Sequence, residues 1–244
     1  MIARLTIWRA LCLLALACLV APVASAGDQA ERQILGFSPD GSSFAFEQYG
    51  IQDGSGFPYA DIFVIDTATD RWVKGTPFEA FIRNGDAEVE QARQDVLKQA
   101  KKLLQERRIS QPGRWLASNP PAEVSADPHK VVVNVNPVPI APPELWTFSI
   151  QEKTFKNPIC TAFVSDDQQG FTLTMQRQGQ APRILHDDTS IPESRICAVR
   201  YAISDVLLHD PKGGKRVLAV LISIFKHGFE GPDRRFLAVT AQVP

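Results

Sequence analysis

Charged side chains suited to acid–base or anion-binding chemistry are concentrated near the C-terminus, in residues 226–236. They are His227, Glu230, Asp233, Arg234 and Arg235, beside Gly228 and Gly231. Neighbouring arginines can hold a carboxylate or phosphate bidentately, and a histidine beside a carboxylate can transfer protons. In the structural alternative, Asp233 or Glu230 forms a salt bridge with an arginine and the glycines make turns.

A second candidate segment is the loop at residues 52–59, which is rich in glycine and aromatic residues. Its candidate binding residues are Asp53, Phe57 and Tyr59. Exposed aromatic rings are typical of recognition surfaces, and Phe229 of the C-terminal segment adds another. We therefore expect any ligand or partner site at these two segments.

Common catalytic motifs are missing from the sequence. There is no G-x-S-x-G, H-E-x-x-H, phosphate-binding G-x-x-x-x-G-K or dinucleotide-binding G-x-G-x-x-G pattern. Residues 223–226 match the S-x-x-K of penicillin-recognising enzymes, but they end an apolar strand, and no S-D-N or K-T-G motif accompanies them. We assign no catalytic residue.

The sequence also predicts no metal or cofactor. Four histidines, at 129, 186, 209 and 227, are scattered singly, so no spacing places two of them on one face of a helix or strand. Calcium needs only loop carboxylates. The candidates for it are Asp53, Asp61, Asp66, Asp70, Asp166 and Asp167, but residues 53–57 do not fit a calcium-binding loop.

The overall charge excludes a nucleic-acid partner. The 244 residues include 26 basic and 27 acidic side chains, a net charge of −1. Nucleic-acid binders need a basic surface that neutralises phosphates. At 44% hydrophobic and 22% charged, the composition is that of a soluble globular protein.

The N-terminus is typical of a secretory signal peptide. Arg4 and Arg9 precede an apolar run at residues 10–20, and Ala24-Ser25-Ala26 fits the small-x-small rule for cleavage. We expect cleavage after Ala26 and a mature protein in the periplasm, with no membrane span. The alternatives are a retained anchor, for which the run is short, and a lipoprotein acylated at Cys18.

Cleavage would leave two cysteines, Cys160 and Cys197, in an oxidising compartment. A disulfide between them is the natural pairing. Two buried free thiols are the alternative. A redox-active pair is disfavoured because neither residue belongs to a C-x-x-C motif.

The fold class expected from the hydrophobic pattern is mainly β, of the α+β type. Short alternating or β-branched runs bounded by turn residues predict strands at 44–49, 61–66, 130–135, 145–150, 171–175, 217–225 and 236–243. Frequent Gly, Pro and Asp turns predict antiparallel hairpins in a sandwich-like or partial-propeller-like arrangement. The run at 217–225 is apolar on both faces, which indicates a central strand of a covered sheet.

One long amphipathic helix is predicted at residues 86–108. Asp86 is a candidate N-cap, apolar residues recur at helical spacing, and Arg107 and Arg108 would lie in the last turn. The helix would pack on the sheet through its apolar stripe. Alternatively, its charged faces would dock on an acidic partner or anionic lipid.

Domain organisation depends on the proline-rich stretch at residues 137–143. It would either connect lobes at 27–136 and 144–244 or form an edge strand in a single domain. We expect a single domain at 27–244, because neither half has an obviously complete core.

Two stretches of the sequence resemble known protein families. Phe-Ser-Pro-Asp-Gly at 37–41, Asp-Ile-Phe-Val-Ile-Asp at 61–66 and Arg-Trp-Val at 71–73 look like one blade of the Tol-system periplasmic β-propeller, although a propeller needs about four or more blades. Residues 36–73 together with 228–236 resemble a bacterial family of predicted secreted proteins of unknown function. That resemblance implies secretion and a single domain, and supplies no activity.

Two classes of function remain open. The first is a non-catalytic envelope protein that binds an envelope partner protein or a small ligand. The second is a periplasmic hydrolase whose site is assembled around residues 226–236, with His227 and Asp233 or Glu230 as acid and base.

Overall fold

The structure, a computed structural model, describes residues 27–120, 123–138, 140–164, 167–229 and 231–243. The predicted signal peptide at residues 1–26 lies outside the described residues, as do Asp166 and Glu230. No helix in these ranges is long and apolar enough to cross a membrane.

The alternating sequence pattern forms strands over most of the described chain. They are β1 (Glu31–Phe37), β2 (Ser43–Ile51), β3 (Pro58–Asp66), β4 (Arg71–Trp72), β5 (Phe78–Phe81), β6 (Arg114–Ser118), β7 (Lys130–Asn134), β8 (Leu145–Phe155), β9 (Gln168–Arg177), β10 (Arg183–Asp187), β11 (Ala198–His209), β12 (Arg216–His227) and β13 (Pro232–Val243). The helices are α1 (Val89–Glu106), α2 (Pro158–Val164) and a 3-10 turn at Glu193–Arg195. The expectation of a mainly β protein with one long helix is confirmed.

The described strands form three antiparallel sheets. Sheet I has the order β1-β2-β3, with β4 and β5 both paired to β3. Sheet II has the order β13-β12-β11-β6, and sheet III has the order β10-β9-β8-β7. Neighbouring strands joined by short turns pair antiparallel, as the frequent turn residues predict.

Sheet II is the middle layer, because it contributes to two separate apolar cores. One face packs on sheet I, around Phe44, Phe46 and Leu221. The other packs on sheet III, around Trp146, Phe148 and Ile222. A strand covered on both faces must be apolar on both faces, which explains the pattern of β12 and confirms its central position.

Helix α1 covers the outer face of sheet I with Ala92, Val96 and Ala100. The predicted cap at Asp86 is wrong: the helix begins at Val89 after Glu88, and the preceding residues make turns that follow the pairing of β5. The predicted last turn is also wrong, because the helix ends at Glu106.

The end of α1 is set by a long-range contact. Arg108 has a positive φ of 51°, which stops the helix. The chain then turns so that the Phe37 N–H donates to the Gln111 carbonyl at 2.6 Å and the Ser110 N–H donates to the Phe37 carbonyl at 3.1 Å. Pairing with β1 therefore begins before another helical turn can form.

The predicted disulfide is present. Cys160 of α2 is bonded to Cys197, which lies just before β11, with an S–S distance of 2.08 Å. It ties the short helix to the edge of the middle sheet. Removing such a crosslink typically costs about 2–5 kcal/mol in a small secreted domain.

Strands from both sides of the proline-rich stretch share sheet II. Strand β6 precedes residues 137–143 and pairs with β11, which follows them. This shared sheet supports our proposal that residues 27–244 form one domain. Residues 36–73 belong to sheet I, which stacks face to face on sheet II, so the comparison with a propeller blade finds no support.

Candidate functional site

A cleft of about 720 Å³ opens beside β13, the outer strand of sheet II. Sheet I supplies one wall, and the chain around the 3-10 turn supplies another. Its volume lies within the range of about 300–1,000 Å³ typical of small-molecule sites. It is therefore the candidate binding site.

The apolar wall of the cleft is built by strands of sheet I. Phe63 of β3 stacks on Phe46 inside the core, with ring centroids 4.8 Å apart. Its other neighbour is Trp72 of β4, with centroids 5.5 Å apart. Trp72 is 48% exposed, so a ligand in the cleft would cover its indole ring.

The opposite wall is the outer edge of β13, where Gln29 bridges to Arg234 but no described strand pairs with the residues that follow. The Phe236 N–H donates to Gln48 Oε1 at 2.9 Å, and the Thr240 N–H donates to Asp70 Oδ1 at 2.6 Å. By the alternation of an antiparallel ladder, the Ala238 N–H between them points the same way, into the cleft. It can donate to a ligand.

The acidic side of the cleft centres on Asp61. Register places Asp61 of β3 opposite Gln48 of β2, and Gln48 Nε2 donates to Asp61 Oδ2 at 2.9 Å. Burial raises the pKa of Asp61 to about 6, and the nearby Glu79 carboxylate adds to the rise. Burial also raises the pKa of Asp70. Both carboxyl groups are therefore held in low-dielectric surroundings.

The basic side of the cleft is formed by Lys226, Arg235 and Arg195. Lys226 Nζ donates to the Ser194 carbonyl at 2.8 Å. Among the described residues, Lys226 has no carboxylate within 4 Å, whereas the two arginines have one each. Burial lowers the pKa of Lys226, and repulsion from the two guanidinium groups lowers it further.

Arg195 belongs to a buried ion network under the cleft. Its Nη1 and Nη2 donate to the two oxygens of Asp188 at 2.8 and 2.5 Å. His186 Nε2 and the Phe171 N–H both lie 2.9 Å from the same carboxylate. Burial opposes ionisation of Asp188, but these four contacts outweigh it and hold its pKa well below the usual range.

The structure separates the two arginines that the sequence places side by side. Arg235 lines the cleft, where its Nη2 donates to Asp28 Oδ2 at 2.5 Å. Arg234 lines a different pocket and is 4% exposed. Neighbouring residues of a strand point to opposite faces, so these two do not form one clamp.

The expectation that Tyr59 is exposed is wrong. Its ring is 6% exposed and belongs to the core between sheets I and II. The Tyr59 hydroxyl donates to Asp28 Oδ1 at 2.9 Å, and the Arg235 guanidinium lies 4.5 Å from the ring centroid. Tyr59 therefore helps to fix the Asp28–Arg235 pair.

Asp233 binds backbone, not an arginine. Its Oδ1 accepts a hydrogen bond of 2.9 Å from the Asp28 N–H. The sequence suggested an arginine salt bridge for Asp233 or Glu230, but Asp233 makes none, and Arg235 pairs with Asp28. Glu230 itself lies outside the described residues.

The two predicted segments meet at the surface. A methyl group added at Gly54 would lie 3.8 Å from the ring of Phe229, which is 83% exposed. Phe57 is half-buried and contacts the Phe81 ring edge-on, with centroids 5.8 Å apart. Asp53 and His227 also have contacts within the protein.

The described ranges contain no group of three or more His, Cys, Asp or Glu side chains placed to hold a metal ion. Of the calcium candidates, Asp61 and Asp70 lie at the cleft, and Asp66 Oδ1 accepts bonds from the next turn. Asp166 is outside the described residues.

Sequence reasoning missed several residues of the cleft, notably Gln48, Trp72, Arg195 and Lys226, and also Asp188, the counter-charge of Arg195. One of these had a usable signal. A β2–β3 hairpin closed around residues 52–57 places Gln48 opposite Asp61 by simple counting of register. Trp72 reaches the cleft through the pairing of β4 with β3. Arg195 and Lys226 reach it from segments distant in the sequence, which no local pattern indicates.

One comparison with known proteins gives a match. A family model described as "Predicted secreted protein (DUF2259)" matches residues 45–242. No curated protein and no solved structure matches the chain. All residues that line the cleft fall within the matched span, whereas Asp28 and β1 precede it.

Proposed function

The chain belongs to this family of predicted secreted proteins, and from that premise we propose that it is a non-catalytic binding module of the periplasm. The signal-peptide pattern and the Cys160–Cys197 disulfide support an oxidising compartment outside the cytoplasm. The partner is an envelope protein segment or a small ligand.

The cleft is the observation that carries this proposal. It combines aromatic rings on one wall, a backbone donor at Ala238 on the other that has no acceptor among the described residues, and converging charges of Lys226 and Asp61. Binding sites typically have such an apolar lining with a few placed polar groups. We propose an occupant with an apolar body and a polar end that accepts hydrogen bonds.

Most charged groups of the cleft are already engaged in fixed contacts. Arg195 binds Asp188, Arg235 binds Asp28, and Asp70 binds the Thr240 N–H. Side chains held in such fixed contacts keep the shape and the polarity of a binding surface constant. The hydrolase hypothesis built on His227 with Asp233 or Glu230 remains the alternative, although Asp233 is occupied with the Asp28 N–H.

The proposal is tested with the apolar anionic dye 1-anilinonaphthalene-8-sulfonate as the probe. Ala238→Phe fills the cleft, and Trp72→Ala removes its aromatic wall. The matched control is Trp115→Ala, because Trp115 of β6 is 49% exposed, like Trp72 at 48%, but does not line the cleft. We expect both cleft variants to lose dye binding by about tenfold and the control to retain it.

Envelope extract then identifies the class of occupant. Fractions of small molecules and of proteins are scored for displacement of the dye from the wild-type protein. A displacing fraction that is recovered unchanged supports a binding module, whereas one that is consumed supports the hydrolase. Equal dye binding by all variants would refute the cleft as the site.

A further inference from the structure

A second pocket lies on the face of sheet II that is turned toward sheet I, near the start of β13. Its volume is about 340 Å³, and it shares no lining residue with the cleft. Arg200, Phe225 and Arg234 form one row across β11, β12 and β13 at its floor. Asn119, Ser223 and Glu123 also line the pocket.

Arg234 is a buried cation with too few acceptors. A guanidinium carries five N–H donors. In the described chain it makes one hydrogen bond, from Nη2 to the Ala30 carbonyl at 2.8 Å, and its buried Nε has no partner. Burying a charge is costly unless the charge is paired, so a partner from outside the protein would stabilise this side chain.

Nearby acidic groups do not supply that partner: the charges of Glu31 and Asp205 act on Arg234, but neither carboxylate forms an ion pair with it. Asp205 is fully buried, but its oxygens already accept bonds from Arg32, Ser118 and Ser204. Glu123 accepts two bonds from Ser125, at 2.8 Å from the N–H and 2.5 Å from the hydroxyl. Within the described ranges, no carboxylate lies within 4 Å of the Arg234 guanidinium.

The rest of the pocket adds a second positive charge and neutral donors. The Arg200 guanidinium lies 4.2 Å from the centroid of the Phe225 ring, which holds it along the wall of the pocket by cation–π contact. The Asn119 amide donates to the Ile203 carbonyl at 3.2 Å, which fixes its orientation. Ser223 is buried beside Arg234 with its hydroxyl available.

We infer that this second pocket binds an oxyanion, the phosphate or carboxylate group of a small ligand, against Arg234 and Arg200. An anionic oxygen would accept the unused N–H groups of Arg234 in charge-assisted hydrogen bonds, the strong class of such bonds. The apolar ring of Phe225 would contact the body of the ligand. The site is independent of the cleft and of the function proposed for it.

The test measures thermal unfolding and calorimetric binding of the mature protein with inorganic phosphate or acetate, against chloride at equal ionic strength. We expect a saturable rise in Tm with at least one of the two oxyanions, as ligand linkage requires. Arg234→Met should weaken that binding by about tenfold or more. Lys226→Gln, which changes the cleft only, should bind the oxyanion like the wild type.

A second pair of variants keeps the test decisive if Arg234→Met fails to fold. Arg200→Gln should weaken oxyanion binding, and Glu123→Gln should strengthen it, because these two lining residues carry charges of opposite sign. Changes in the same direction, or none, would overturn the inference. A Tm rise that never saturates, or one that persists in Arg234→Met, would also overturn it. Either result would mean that the oxyanion acts elsewhere on the protein and does not bind in this pocket.

Discussion

Arg195 and Arg234 are buried to nearly the same degree, at 6% and 4% exposure, yet their surroundings differ completely. Arg195 binds both oxygens of Asp188 and donates to the Tyr201 hydroxyl at 3.0 Å. Within the part of the chain that the structure describes, Arg234 has one acceptor, the Ala30 carbonyl. A buried guanidinium that binds a carboxylate bidentately holds a fold together, whereas one left short of acceptors is suited to a ligand.

The largest expected effect is on the Arg195 network. Asp188→Ala should lower the free energy of unfolding by about 3–5 kcal/mol, because it leaves Arg195 buried without a counter-charge. Denaturant unfolding with the disulfide intact measures this. The control is Asp187→Ala, which removes a salt bridge to Lys153 at a more exposed site and should lower the free energy of unfolding far less, because solvent screens that pair. Equal losses would contradict the assignment of Asp188 as structural.

Steric crowding beside the Arg195–Asp188 pair should lower the free energy of unfolding by a smaller amount. A Cβ at Gly170 would lie 2.6 Å from Ile191 Cδ1, 2.7 Å from Phe155 Cε2 and 3.0 Å from Asp188 Oδ2. Gly170→Ala should therefore cost about 2 kcal/mol through overpacking. Gly85→Ala is the control, since its nearest neighbour would be 3.9 Å away. The comparison fails if both alanine variants unfold at the same denaturant concentration.

Removing the Arg234 side chain should lower the free energy of unfolding much less than removing Asp188. Arg234→Met in an oxyanion-free buffer should lower the free energy of unfolding by about 1 kcal/mol, because one hydrogen bond is lost while an unpaired buried charge is also removed. The same denaturant series as for Asp188→Ala gives the value. A loss as large as that of Asp188→Ala would make Arg234 structural and erase the contrast between the two arginines.

The smallest expected effect concerns the pH dependence of the cleft. The pKa of Asp61 is raised to about 6, so the folded state binds a proton more tightly than the unfolded state. Its contribution to stability is lost as pH rises through 6 and is recovered as pH falls toward 4. Asp61→Asn should therefore stabilise the protein at pH 7, where the Asp61 carboxylate is ionised at a cost, and leave the stability unchanged near pH 4.

Asp188 should respond to pH with the opposite sign. Its pKa is lowered, so its stabilising contribution is complete above the ordinary aspartate pKa and is lost as pH falls below it. Unfolding curves measured at several pH values distinguish the contribution of Asp188 to stability from that of Asp61. If Asp61→Asn shows the same pH profile as the wild type, the raised pKa of Asp61 is wrong.

Local features were predictable because their contacts are short in sequence. The strand patterns at residues 44–49 and 61–66 predict β2 and β3, and the loop length sets their register. The apolar spacing likewise predicts α1. Its ends were not predictable, since Arg108 leaves the helix to let Gln111 pair with Phe37, far away in the chain.

Strand β11 shows why other elements were missed. Its central position is hidden by Asp205 and His209, which interrupt the apolar pattern although both are buried. Asp205 is tolerated there because Arg32, 173 residues away, neutralises it. A buried ion pair between distant segments looks, in the sequence, like two unrelated surface charges.

The sequence by itself determined the strand-rich pattern, the long helix, the doubly apolar run of β12 and the cysteine pairing, because each depends on local periodicity or simple counting. Only the tertiary structure decided which arginine acquires a partner. Arg234 and Arg235 are adjacent, but strand geometry turns them to different faces. Asp28, 207 residues from Arg235, reaches that side chain through the layered packing, whereas no carboxylate of the described residues pairs with Arg234.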